Sequence, residues 1–306
     1  MHLNIPSLPG VRTRDLAILS TLNNTIGTCN EQLQGYFFGN VANALHYFFL
    51  YDLCDVYLEL IKPVISIKES DNCSTEAKDM QYAAQCTLYT CLEQFLRLAH
   101  PLMPFVTEEL WQRLPNRTAL TSVPSIMVAN YPQKVSAWEN TAALTDMEVL
   151  KSCIHSARSL RTEYKIPNHV KPDFYFRTEH AATKDGLSAQ QGDFCTLAKA
   201  NMLKHLAATE ENPNKNVCVK VINDNLSLLV DLTGLINIDL ELSRLNKEKA
   251  RLEPIIETYK RKMSIPDYEN KVPKAVQTLN TEKLSSAENE LTTTLEAMTN
   301  FEKMRL

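Results

Sequence analysis

A mainly α-helical fold is what this sequence predicts, with an antiparallel helical bundle over 1–166, a small α+β unit over 167–237 and a terminal antiparallel helical hairpin, read as a coiled coil, over 238–306. Three observations predict it. Apolar residues recur every three to five positions through the first half of the chain, strand-like apolar runs gather after Pro167, and from Ile238 the spacing settles into alternating fours and threes. Only 7 glycines occur in 306 residues, which disfavours Gly-rich barrels, phosphate-cradling loops and flexible linkers as major components.

Each element has its own signal. Leu16, Leu19, Leu22, Ile26 and Leu33 keep helical spacing, and Asp15 suits a helix start. A second helix follows Val41, Leu45, Phe48, Leu53, Val56, Leu60 and Val64, with Gly39-Asn40 as its expected cap and Lys62-Pro63 as its close. The third, from about Glu76 to Ala99, is ended by His100-Pro101, because proline lacks the backbone donor and restricts the residue before it. A short helix through Phe105, Leu110 and Leu114 leads into a Pro-containing loop, and a fifth helix spans about Ala143 to Tyr164. Beyond Pro167, the runs 173–177, 216–222 and 226–232 read as strands, with a helix near Asp193 to Leu203 and a tight turn at Asp224-Asn225. In the hairpin, Ile238, Leu242, Leu245, Lys249, Leu252, Ile256, Tyr259 and Met263 form one seam; Leu284, Ala287, Leu291, Leu295, Met298 and Phe301 form the other. Pro254 lies inside the first arm, where a kink is expected.

Composition narrows the function classes. A formal net charge of -4 leaves any nucleic-acid contact to local patches. The 8 cysteines contain no C-x-x-C pair, so reduced thiols fit better than a zinc or dithiol site. Neither a signal peptide nor a run of ~20 apolar residues is present, and a cytoplasmic protein without membrane or DNA partners is the expectation.

Longer motifs sharpen this. The segment Leu98-Ala-His-Pro-Leu-Met-Pro-Phe-Val-Thr-Glu-Glu-Leu-Trp-Gln112 resembles the helical corner in the anticodon-binding bundle of class I aminoacyl-tRNA synthetases for valine, isoleucine and leucine. Leu50-Tyr-Asp-Leu-Cys-Asp-Val-Tyr-Leu-Glu-Leu-Ile-Lys-Pro63 is similar to the Cys-Asp-x-Tyr-x-Glu helix of the valyl-tRNA synthetases in particular, and Arg158-Ser-Leu-Arg-Thr-Glu-Tyr-Lys-Ile-Pro167 resembles their Arg-x-x-Arg element. The terminal hairpin is similar to the coiled coil that in this family reaches the tRNA elbow. The chain thus resembles the C-terminal portion of a cytosolic-type valyl-tRNA synthetase. Where the family has Asp-Arg-Trp-Ile-Leu-Ser, this chain reads Asp15-Leu-Ala-Ile-Leu-Ser20. No His-x-Gly-His tetrapeptide occurs, Lys262-Met-Ser264 is followed by Ile265-Pro266, and the editing domain is not recognisable.

The resemblance implies binding of tRNA(Val), in support of ATP-dependent valylation by a separate or missing catalytic domain; ATP and Mg²⁺ belong to the full-length family, and no catalytic, cofactor or metal residue is expected here. A stand-alone, non-catalytic RNA-binding paralogue and a coiled-coil interaction protein are the other readings. Candidate tRNA contacts are Lys151, Arg158, Arg161 and Lys165, which with His155 fall largely along one stripe of the fifth helix, and Lys260, Arg261, Lys262, Lys271 and Lys274 at the hairpin tip. Tyr36, Phe37 and Phe38 suit base stacking, although packing between the first two helices is the expectation. Asp52, Asp55 and Glu59 share a helical face and are read as a surface or salt-bridge set rather than as acid-base catalysts.

Overall fold

The structure, a computed structural model, describes residues 4–67, 74–115, 123–207, 210, 212–214, 216–233, 238–264, 268 and 273–305. Helix α1 (Thr13–Gln34) is the central element of the bundle. It starts two residues before Asp15, whose carboxylate reaches back to accept the Arg12 N–H at 2.9 Å. Its Leu19, Leu22 and Ile26 are fully buried. The second helix forms as α2 (Phe38–His46), a π-helical stretch (Tyr47–Leu58) and α3 (Glu59–Ile65) in succession. It begins at Phe38, so Asn40 is not its cap; the Asn40 amide instead donates to Gln32 Oε1 at 2.7 Å. The five-residue step from Phe48 to Leu53, both buried, matches the wider π turn.

Helix α4 (Thr75–Ala99) is capped by the Ser74 hydroxyl, which accepts the Ala77 N–H at 3.2 Å. Helix α5 (Pro104–Arg113) has proline at its first turn, where no donor is missed. It buries Trp111 against Leu96 and Ile126. Helix α6 (Thr141–Glu163) starts at Asn140, whose side chain accepts the Ala143 N–H at 2.9 Å. Its buried face, Met147, Leu150, Ile154 and Ala157, is the one the periodicity marks.

The α+β unit contains β1 (Asp173–Arg177), α7 (Ala181–Ala189), α8 (Gln191–Ala198), β2 (Met202–His205), β3 (Val217–Asn223) and β4 (Leu226–Asp231). The sheet order is β2-β1-β4-β3, with β1 and β2 parallel and the other pairs antiparallel. The expected helix from Asp193 to Leu203 is corrected here. Helix α8 stops at Ala198 because Lys199 turns left-handed (φ 53°), and the chain re-emerges as β2 beside β1. A four-residue strand carries too little alternation to be read from sequence. The turn at Asp224-Asn225 forms as expected, with the Asn225 N–H donating to Asn223 Oδ1 at 3.0 Å.

Helices α9 (Ile238–Met263) and α10 (Lys274–Arg305) pack against each other as an antiparallel hairpin, with α9 helical throughout, Pro254 included. Leu242, Leu245, Leu252, Ile256 and Ala287 are buried as the seam requires. Leu295 is a correction, since it is exposed while Thr294 is buried. The inward positions 287, 291, 294 and 298 keep the 3.6-residue period, and a strict count of four from 291 overshoots it.

One hydrophobic core runs from the bundle into the sheet and the base of the hairpin. Leu150 and Leu160 of α6, Phe174 and Phe176 of β1, Phe194 of α8, Leu228 and Val230 of β4, and Leu242 and Leu245 of α9 all belong to it. Arg14 of α1 and Asp193 of α8 form a buried ion pair across the same junction. Bundle and sheet are therefore held by apolar contact and by charge at one place.

Candidate nucleic-acid interface

Five aromatic side chains stand out of the bundle around α2. Tyr36, Phe37, Phe38, Tyr47 and Tyr51 are 79%, 61%, 52%, 61% and 47% exposed. This overturns the expectation that the first three pack between helices. At the turn, Tyr36 is left-handed (φ 59°). Gly35 has no Cβ where one would meet the Phe37 ring at 2.7 Å, so the ring lies over the backbone while its remaining surface faces outward. Tyr36 and Phe38 then sit edge to face, centroids 6.4 Å apart. Farther along, the π turns bring Tyr47 and Tyr51 to 5.4 Å, with His46 edge-on to both rings. The Gln32–Asn40 amide pair lies between α1 and α2 next to the first group. Exposed flat rings beside amides suit unpaired bases, which stack on aromatics and present hydrogen-bonding edges. Tyr47 and Tyr51 were missed from sequence; the five-residue apolar step at 48–53 was the available signal.

The cations of α6 do not form one exposed stripe. Lys151 bridges helices, its ammonium 3.2 Å from Asp52 and 3.3 Å from Glu148, and these carboxylates lift its pKa above the ordinary lysine value against the desolvation of burial. The Asp52 end of the acidic set is thus an internal salt bridge, and Glu59 pairs with Lys62 on its own helix. His155, Arg158 and Lys165 are exposed, whereas Arg161 is only 7% exposed. Arg161 donates from Nη1 to the Lys199 carbonyl at 3.0 Å and from Nη2 to the Pro167 carbonyl at 2.8 Å. Arg158 donates from Nε (3.2 Å) and Nη2 (3.0 Å) to the Leu197 carbonyl. Both arginines therefore fasten α6 to the end of α8, because helix C-termini leave carbonyls without partners. Burial pulls the Arg161 guanidinium below its ordinary value.

A cleft of about 540 Å³ opens at this joint. Its lining includes Arg158, Arg161, Lys165 and Lys199 and no Asp or Glu. Lys165 and Lys199 are both left-handed, at φ 50° and 53°. Such a conformation costs a side-chain-bearing residue on the order of 1 kcal/mol, which glycine escapes. Lys199 was missed from sequence, and nothing in its neighbourhood marks a helix end.

At the hairpin tip, Lys260 pairs with Glu288 at 2.7 Å and the Lys262 ammonium lies 5.4 Å from the Tyr259 ring centroid. Arg261 and Lys274 are exposed, and Lys271 lies outside the described residues. Among the described residues no group of three or more His, Cys, Asp or Glu side chains is arranged to hold a metal ion. No described helix is long and apolar enough to cross a membrane.

A family model described as the anticodon-binding domain of tRNA ligase matches residues 15–174. The chain is 38% identical over 292 residues to a valine-tRNA ligase of Takifugu rubripes, covering 95% of this chain and 24% of that protein. It is 35% identical to a valine-tRNA ligase of Homo sapiens (95% of this chain, 22% of that protein) and 32% identical to one of Legionella pneumophila (90% and 29%). The chain thus spans about a quarter of the length of the relatives it matches.

Proposed function

Because the chain belongs to the anticodon-binding domain family of tRNA ligases, we propose that it binds tRNA(Val), taking the unpaired anticodon bases on the aromatic surface around α2 and the body of the tRNA along the hairpin. The ATP-dependent valylation that such binding serves is carried out by a catalytic domain outside the residues seen here. The observation that carries this reading is the exposure of Tyr36, Phe37, Phe38, Tyr47 and Tyr51. Burying an aromatic is the default, since each removes a large apolar area from water at roughly 25 cal/mol per Å². Five left outside around one helix suit a partner that covers them.

The test is titration of the chain with a tRNA(Val) transcript, the same transcript with a replaced anticodon, and an unrelated tRNA. Tyr47→Ala with Tyr51→Ala removes two stacking surfaces worth about 1–3 kcal/mol per base, so affinity for tRNA(Val) should fall by at least about tenfold. Binding that ignores the anticodon, or that survives loss of both rings, would reject the proposal. Tyr51 is about half buried against Tyr47 and His46, so a stability loss of about 1–2 kcal/mol is expected for the pair, and affinity is compared at a temperature where circular dichroism shows both proteins folded.

A further inference from the structure

We propose that the cleft between the end of α6 and the end of α8 seats consecutive phosphates of an RNA strand; this second contact rests on the reading of the chain as a tRNA binder. Four cationic side chains line it, Arg158, Arg161, Lys165 and Lys199, together with the neutral polar Thr162 and Asn168. No carboxylate shares the lining, and among the described residues neither arginine is within ion-pairing distance of one. The comparably buried Arg14 has a carboxylate partner in Asp193. Arg161 is as buried as Arg14 yet has carbonyls for partners. Carbonyl dipoles meet its N–H groups and leave its charge without a counter-charge. An anion in the adjoining cleft supplies it.

The two lysines are the independent observation. Both stand just past a helix end in the left-handed conformation, where glycine is the residue without steric cost. Capping needs no ammonium there, and the two arginines already meet the carbonyls at 167, 197 and 199. Lysine at both positions instead lines the cleft with two cationic side chains. The chemistry selects an oxyanion, and the cleft opens to the surface, where a backbone can lie across its four cations.

The experiment removes both charges without disturbing the arginine bonds: Lys165→Asn with Lys199→Asn, because asparagine tolerates the left-handed conformation. Affinity of the full chain for the tRNA(Val) transcript is measured between about 50 and 200 mM salt. Each phosphate contact accounts for roughly a threefold loss over that range, so the double variant should lose about tenfold less affinity with salt than the wild type, at unchanged helicity. The same loss of salt dependence with an unrelated tRNA is expected, since phosphates carry no sequence. That arm separates this proposal from the anticodon reading, which fails if the wild type does not prefer tRNA(Val). An unchanged salt slope overturns the cleft as an RNA site. So does saturable binding of inorganic pyrophosphate at the cleft, followed by backbone amide shifts at 165 and 199, with the RNA slope unchanged; the cleft would then hold a free phosphate compound.

Discussion

Removing the charge of Asp193 should destabilise the protein far more than replacing its ion pair altogether. Arg14 and Asp193 are each 7% exposed, and the pair joins α1 to α8 where the bundle meets the sheet. Only Arg14 Nη1 engages the carboxylate, while Nε is buried without an acceptor among the described residues. Contact at one nitrogen compensates a buried guanidinium incompletely, and burial raises the Asp193 pKa even against the attraction of Arg14. Asp193→Asn leaves the buried Arg14 charge without its bonded carboxylate, with only the attraction of the neighbouring Asp15 remaining, a loss of about 3 kcal/mol. Arg14→Met with Asp193→Leu removes both desolvation costs, and its stability should lie within about 1 kcal/mol of the wild type or above it. Urea unfolding followed by circular dichroism reads this directly: at a slope of roughly 3 kcal/mol per M, the Asp193→Asn midpoint falls by about 1 M. A loss under about 1 kcal/mol for Asp193→Asn, or a double variant as unstable as the single one, would refute the reasoning.

Two further outcomes are expected. Burial raises the Asp15 carboxyl above its ordinary 3.8 despite hydrogen bonds from the Arg12 N–H and the Tyr57 hydroxyl. A raised carboxyl contributes stability present below the unfolded value and lost as pH rises through the folded one. Asp15→Asn should therefore compare better with the wild type near pH 7 than near pH 4, and denaturation midpoints at the two pH values that keep a constant difference would contradict it. Charge reversal of Lys260, Arg261 and Lys262 to Glu should weaken binding of a tRNA(Val) transcript by about tenfold or more at unchanged helicity, and unaltered affinity would rule out contact at the tip.

What the sequence determined by itself was the local and periodic part. The buried faces of α1 and α6, the proline-bounded corner between α4 and α5, strands β1, β3 and β4, and most of the hairpin seam follow from spacings and caps within a few residues of each position. Arg158 and Lys165, singled out on the basic spacing of α6, both line the cleft where α6 meets α8. Only the tertiary structure decided which way those side chains are used. Arg161 continues the basic spacing of α6, yet it is buried because carbonyls at 167 and 199, one brought in from α8, converge on it. Tyr36, Phe37 and Phe38 look like core residues by hydrophobicity; they are outside because α2 opens with no described element covering that turn. Lys199 carried no signal at all, since its left-handed turn is imposed by the need to carry the chain from α8 into a strand parallel to β1. Periodicity reports the face a residue occupies, whereas exposure, counter-charge and clefts depend on what distant segments bring to that face.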